Sequence, residues 1–267
     1  MKRMKILIFH SPYFFISVII AALFLLSKYP SVVYVSYKEG YSGKVFNLLS
    51  FLRFFSMNNA DVTLPAVFGI PCLCWMYGEI SEKRYYNTII REKSKDRYAW
   101  HILLYSMISG IWLTMLSLLL SFLLSAGYTC FLLEGNMTFG YIEEIEINFL
   151  ASFYGNLVRD GLGWLAVLIY CMAFFCYASL WPIISVVVLL WVRNRYIAAT
   201  APFMLNLILD FYFRIQVLRP TNMLRMAYID ETAYGGTLCI LAIFLGYGFF
   251  GFLLIRGGVE RLCRQSR

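Results

Sequence analysis

Long apolar runs separated by short polar segments dominate the hydropathy pattern of this chain. A helix that crosses a hydrocarbon core of about 30 Å needs about 20 predominantly apolar residues, and we interpret six runs in this way. The predicted spans cover approximately residues 6–26, 62–78, 101–124, 163–190, 196–214 and 233–255. The pattern therefore predicts an all-α fold, a polytopic membrane protein with six transmembrane helices in a single domain, residues 1–267.

The composition agrees with a membrane protein and excludes several other classes. Of the 267 residues, 61% are apolar and 14% are charged, whereas soluble domains average roughly 45–50% apolar and about 25% charged residues. The seven cysteines lie mostly inside apolar runs, so we interpret them as buried hydrophobic residues rather than a disulfide framework. The net charge of +8 is spread thinly, without the clustered basic face that nucleic-acid binding requires.

Lysine and arginine are distributed unevenly between the two sides of the predicted bundle. Short loops rich in these residues stay in the cytoplasm. With the amino terminus inside, 15 of the 23 basic residues but only 5 of the 15 acidic residues fall on the inner side. We therefore expect both termini to be cytoplasmic, in a multi-pass protein of the cell membrane, specifically the bacterial plasma membrane. Two segments longer than turns, 27–60 and 127–160, then lie outside.

The segment between the second and third predicted spans, residues 78–100, is the most organised polar stretch. Tyr85 and Tyr86 lie four residues before Ile89 and Ile90, the spacing of neighbours on one helix face. Ser81 is a plausible N-cap. The segment predicts an amphipathic cytoplasmic helix over about residues 79–98.

Three uses of this helix remain open on the residue pattern. The helix lies on anionic lipid headgroups, serves as a solvated connector, or docks into a groove on a cytosolic partner.

A six-span chain of this length with both termini inside resembles the permease subunits of ATP-binding-cassette transporters, in the type-2 exporter class. In that family a Glu near the inner end of the second span precedes a cytoplasmic coupling helix, and a basic and aromatic run leads into the third span. The matching residues here are Gly78-Glu79, the run from Glu82 to Tyr86, and the run from Arg91 to Tyr98.

The resemblance implies a permease that exports an amphipathic substrate such as a peptide, a drug or a lipid-like molecule. It implies a cytosolic ATP-binding subunit as partner, ATP and Mg²⁺ on that partner, and a homodimer or heterodimer with a second permease surrounded by membrane lipid. The residues that it assigns to coupling are Glu79, Glu82, Arg84, Tyr85, Tyr86 and Arg91.

The residues favour no catalytic or cofactor site on this chain. The phosphate-binding loop GxxxxGK[ST] is missing from the sequence, so we expect any ATPase to be a separate chain. The only two histidines are His10 and His101, which argues against a catalytic or metal-binding pair. We therefore predict that the chain is not an enzyme.

Asn206, Asp210 and Arg214 are spaced four residues apart in the fifth predicted span, so they share one helix face. One interpretation is a polar lining of the outer part of an export path, because ionisable residues inside a membrane usually face a cavity or a partner helix. The other is a span that ends early, with Asp210 at the headgroups. The alternative function for the whole chain is a non-transporting membrane immunity, sensor or assembly protein that binds a partner through the same cytoplasmic helix.

Overall fold

The computed structural model describes residues 11–26, 45–47, 60–92, 94–128, 131, 136–138, 161–212 and 237–265. Within these ranges the chain forms seven helices and one pair of three-residue strands. The helices are α1 (Pro12–Leu26), α2 (Ala60–Ser81), α3 (Arg84–Glu92), α4 (Lys95–Gly127), α5 (Gly163–Val192), α6 (Arg195–Tyr212) and α7 (Thr237–Gln265). The strands are β1 (Val45–Asn47) and β2 (Asn136–Thr138). The described chain is therefore helical, as the hydropathy pattern predicts.

Three helices are long and apolar enough to cross a membrane. Their apolar windows are Leu64–Ser81 in α2, Lys95–Gly127 in α4 and Phe174–Val192 in α5. Two shorter apolar helices occupy Pro12–Leu26 and Arg195–Leu209. Residues 6–10 of the first predicted span lie outside the described residues. The membrane-like helical character of the chain is thus confirmed, and the number of spans remains a prediction.

Helix α5 is the centre of the bundle, because it packs against α2, α4, α6 and α7. Its buried face carries Tyr177 and Trp181, whose ring centroids are 5.3 Å apart. Small residues let the neighbours approach closely, as is usual between membrane helices. A Cβ atom added to Gly110 of α4 would lie only 2.6 Å from the carbonyl oxygen of Ala178.

Side-chain contacts show that one end of the bundle carries α3 and the ends of several other helices. Arg195, the first residue of α6, lies over the ring of Tyr77 near the end of α2, with 5.5 Å from its guanidinium carbon to the ring centroid. Arg256 in the second half of α7 contacts Asp96 in the first turn of α4, with 2.9 Å between Nε and Oδ1. Helix α5 ends two residues before α6 begins. We call this end the α3 end.

The opposite end of the bundle carries the ends of α1 and α4. Ser121 Oγ, near the end of α4, donates a hydrogen bond to the carbonyl oxygen of Ala22, near the end of α1 (3.3 Å). Strand β1, which follows α1 along the chain, pairs in parallel with β2, which follows α4. Helices α1 and α4 therefore run in the same direction away from the α3 end, and α1 begins at the end where α7 finishes.

Prolines interrupt three of the helices. Pro65 and Pro71 lie inside α2, Pro182 inside α5 and Pro202 inside α6. These helices pack against one another in all three pairings. A proline inside a helix removes one backbone N–H donor and is the commonest cause of a bend. Pro65, Pro71, Pro182 and Pro202 thus belong to one packed group of helices.

Candidate functional site

The predicted helix over residues 79–98 is divided into three parts in the structure. Helix α2 continues to Ser81, and Lys83 then takes a left-handed backbone conformation with φ of 54°. Helix α3 follows as a separate nine-residue helix. Ser94 caps α4 by accepting a hydrogen bond from the backbone N–H of Arg97 (3.5 Å). The continuous helix is therefore replaced by a short α3 held between two long helices.

The predicted N-cap at Ser81 is wrong. Ser81 is the last residue of α2, and its hydroxyl donates to the carbonyl oxygen of Gly78 (3.3 Å). It therefore satisfies a carbonyl at the end of one helix instead of an N–H at the start of the next.

Helix α3 has two distinct apolar faces. Tyr85 and Thr88 are buried, and Ile89 packs against the core. Tyr86 and Ile90 point the other way and are 53% and 61% exposed. The two predicted pairs therefore do not form a single stripe. One pair anchors α3 to α2 and α4, against which the helix packs, and the exposed pair is available to a partner or to lipid.

Glu79 is the buried member of the predicted coupling set, with 6% of its surface exposed. Its Oε2 has no hydrogen-bond partner among the described residues. The positive charges of Arg84 and Arg91 on α3 lie close enough to act electrostatically on this carboxyl group. A buried carboxylate depends on such compensation, so the position of α3 and the environment of Glu79 are linked.

Charged contacts surround α3. Glu82 and Arg84 form an ion pair on the surface. At the other end of α3, Glu92 Oε1 lies 3.3 Å from His101 Nδ1 of α4, and both side chains are mostly buried. Exposed pairs contribute at most about 1 kcal/mol, so the burial of Tyr85 and Thr88 stabilises the position of α3 more than the surface pair of Glu82 and Arg84 does. Arg91 is exposed.

The α3 end also carries aromatic rings paired with arginines from other helices. Arg195 lies 4.9 Å from the ring centroid of Tyr196, to whose hydroxyl it also donates a hydrogen bond (2.8 Å), and this bond raises the pKa of its guanidinium. Arg261 of α7 lies over the ring of Trp191 at 5.7 Å and donates to its carbonyl oxygen (2.9 Å). Such aromatic and basic residues are typical of a membrane–water interface.

The structure describes the three residues of the predicted export path only in part. Asn206 is fully buried on α6, and α6 packs against α2 and α5. Asp210 belongs to the last turn of α6. Arg214 lies outside the described residues.

Sequence reasoning missed a row of buried polar side chains between α2 and α4, formed by Trp75 and Glu79 on one helix and Tyr98 and Tyr105 on the other. The sequence does contain a spacing that indicates such a row. Trp75 and Glu79 are four residues apart and Tyr98 and Tyr105 are seven apart, so each pair lies on one face of its helix. Across the described residues, no group of three or more His, Cys, Asp or Glu side chains could hold a metal ion.

Comparison with known proteins identifies no family for this chain. No protein family, curated protein or solved structure matches the chain.

Proposed function

We propose that this chain is the membrane-spanning permease subunit of an ATP-binding-cassette exporter of the type-2 class. The observation that carries the proposal is the arrangement of α3. It is a short helix between two membrane-length helices, anchored on one side by Tyr85 and presenting Tyr86 and Ile90 on the other. An exposed apolar pair flanked by arginines suits docking into a groove of a soluble subunit.

In the proposed topology the chain crosses the membrane six times, with both termini and α3 in the cytoplasm of a bacterial plasma membrane. The alternating helix directions support this arrangement, because α1 begins and α7 finishes at the α3 end. The basic residues support it as well, since Arg84, Arg91, Arg195, Arg256 and Arg261 all belong to that end. Lysine and arginine favour the cytoplasmic side.

A topology measurement tests this arrangement. We expect a fluorescent protein fused to the carboxyl terminus to be fluorescent in bacterial cells and an alkaline phosphatase fused there to be inactive. Lys38, in a predicted outer segment, should react with a membrane-impermeant amine reagent in intact cells, whereas Lys83 should react only after lysis. Active phosphatase at the carboxyl terminus, or labelling of Lys83 in intact cells, would contradict the six-span topology.

The proposed mechanism passes motion from a motor to the bundle through α3. Two copies of a separate cytosolic ATPase hold ATP and Mg²⁺, and nucleotide binding brings them together beneath a dimer of permeases. Because Tyr85 and Thr88 fix α3 to α2 and α4, a push on α3 tilts both helices. The same movement shifts Arg84 and Arg91 relative to the buried Glu79 and thereby changes its electrostatic environment. Access then changes from the inner to the outer side.

The proposed substrate is amphipathic, since the bundle offers a mostly apolar interior with a few polar groups. Asn206 supplies a fully buried amide on α6, and with Asp210 and Arg214 it forms the proposed polar lining of the path. Buried polar groups in a membrane usually serve transport or helix association.

Reconstitution tests the function directly. The chain is co-expressed with the ATPase encoded beside its gene, purified as a complex and placed in lipid vesicles. We expect ATP hydrolysis that depends on the permease and ATP-driven movement of a fluorescent amphipathic peptide. A permease that binds a soluble partner through α3 but shows neither activity would favour the alternative, a non-transporting immunity, sensor or assembly protein.

A further inference from the structure

A polar seam runs between α2 and α4, and of its residues only Glu79 belongs to the coupling model. We define it by five buried residues: Cys72, Trp75 and Glu79 on α2, and Tyr98 and Tyr105 on α4. Positions 72, 75 and 79 share one face of α2, and positions 98 and 105 share one face of α4. Each of the five residues is at most 7% exposed.

Contacts along the seam show that its two sides face each other in antiparallel register. The Tyr98 hydroxyl lies within electrostatic reach of the Glu79 carboxyl group, nearest the α3 end. Deeper in the bundle, the ring centroids of Trp75 and Tyr105 are 6.3 Å apart. Cys72 Sγ lies 3.8 Å from the carbonyl oxygen of Tyr105. At 1.5 Å per residue, the seam extends about 10 Å along the helix axes.

Four polar atoms of the seam have no hydrogen-bond partner within the part of the chain that the structure describes. They are Trp75 Nε1, Glu79 Oε2, Tyr98 Oη and Tyr105 Oη. Buried polar atoms in proteins are almost always hydrogen-bonded to protein or to ordered water. A succession of four such atoms along one interface therefore indicates a hydrogen-bonding partner beyond the described residues.

The chemistry of these atoms selects the partner. The indole N–H of Trp75 only donates, the Glu79 carboxyl oxygen Oε2 is an acceptor, and the two tyrosine hydroxyls do both. A cation would leave the Trp75 N–H without an acceptor, and an anion would leave the Glu79 carboxyl oxygen without a donor. Water donates and accepts, and a buried water molecule typically makes about three hydrogen bonds.

The seam opens towards solvent at its α3 end. The His101 ring lies beside Tyr105, with 6.4 Å between ring centroids. On its other side His101 approaches Glu92, and these two side chains keep 19% and 22% of their surface exposed. His101 and Glu92 are thus polar groups that both touch solvent and border the buried row.

We infer that the polar seam binds a row of ordered water molecules, which enter from the α3 end past His101 and bridge Glu79, Tyr98, Trp75 and Tyr105. The inference depends only on the packing of α2 against α4, so it stands or falls independently of the exporter proposal.

Radiolytic hydroxyl labelling tests the water row, because X-rays generate hydroxyl radicals from bound water inside a protein as well as from bulk solvent. The full chain is irradiated in lipid nanodiscs, and tyrosine oxidation is measured by mass spectrometry. Tyr177 is the matched control, since it is equally buried but packs between Phe174 and Trp181. We expect Tyr98 and Tyr105 to be oxidised about five times faster than Tyr177 if each adjoins ordered water. Equal rates at the three tyrosines would overturn the inference.

A variant localises the water to the seam. Glu79→Leu replaces the acceptor at the entrance by an apolar side chain, and we expect the oxidation of Tyr98 to fall to the rate of Tyr177. Thr114→Val is the control, because the Thr114 hydroxyl already donates to the carbonyl of Gly110 (2.8 Å), and it should leave the rates unchanged. Undiminished Tyr98 oxidation in a monodisperse Glu79→Leu protein would overturn the assignment. If that variant does not stay monodisperse, the comparison of native tyrosines decides the question alone.

Discussion

Replacing Gly110 with alanine is expected to destabilise the bundle strongly. The new Cβ atom would lie 2.6 Å from the carbonyl oxygen of Ala178 and 2.9 Å from the Cα atom of Ser179. Both are backbone atoms of the central helix α5, so neither moves unless the whole helix shifts. Overpacking of this kind costs about 3 kcal/mol in free energy of unfolding. Thermal unfolding in detergent, followed by gel filtration after heating, measures the loss.

Gly248→Ala is the matched control for this substitution. Gly248 also lies inside a helix, α7, but a Cβ atom there meets nothing within 4 Å. Because glycine is less favourable than alanine within a helix, the control should stabilise the protein by about 0.5–1 kcal/mol. The two variants therefore differ in sign. An unchanged melting temperature for Gly110→Ala would contradict the close contact between α4 and α5.

Replacing both Tyr86 and Ile90 with serine is expected to weaken binding of the proposed ATPase while leaving the permease folded. The two side chains are the exposed apolar pair of α3 and are not part of the buried core. If they fill a groove on the soluble subunit, their loss should weaken association at least tenfold, about 1.4 kcal/mol. Association is measured in detergent by biolayer interferometry with the purified ATPase.

Two further variants make this experiment specific. Leu119→Ser with Leu123→Ser changes another exposed apolar pair with the same spacing, 49% and 57% exposed, far from α3 on α4, and should leave association unaltered. Tyr85→Ala should instead lower the stability of the permease itself by about 3 kcal/mol, because Tyr85 is buried. Unchanged association of the Tyr86→Ser, Ile90→Ser protein would mean that α3 lies on lipid headgroups or serves only as a connector.

The hydropathy pattern predicted the long helices well, because apolar run length alone determines where a helix can lie in a membrane. The fourth predicted span, residues 163–190, corresponds to Gly163–Val192 in the structure. The third begins six residues earlier than predicted, at Lys95, because Ser94 caps the helix. Helix ends thus depend on single capping residues, which hydropathy does not register.

The internal geometry of the candidate site was less predictable. Tyr85 and Tyr86 are adjacent and chemically identical, yet they point about 100° apart on a helix, and only packing against α2 and α4 decides which one is buried. The left-handed conformation of Lys83 carries no residue signal either, since glycine or asparagine usually occupies such positions. The resemblance assigned Glu79 to coupling, which stays a prediction, and no residue pattern indicated that its side chain is buried.

The placement of the prolines has a mechanical consequence. Helices α2, α5 and α6 all contain internal prolines and meet near Gly69, where an added Cβ atom would lie 3.4 Å from Pro202 of α6 and collide with Ser185 of α5. Helix α4 has no proline along its 33 residues and is about 50 Å long. The bundle thus combines one long helix without a proline, α4, with three proline-containing helices, α2, α5 and α6, that contact one another near Gly69. A force applied at α3 would tilt α4 as one straight helix, whereas α2 would both tilt and bend where it meets α5 and α6.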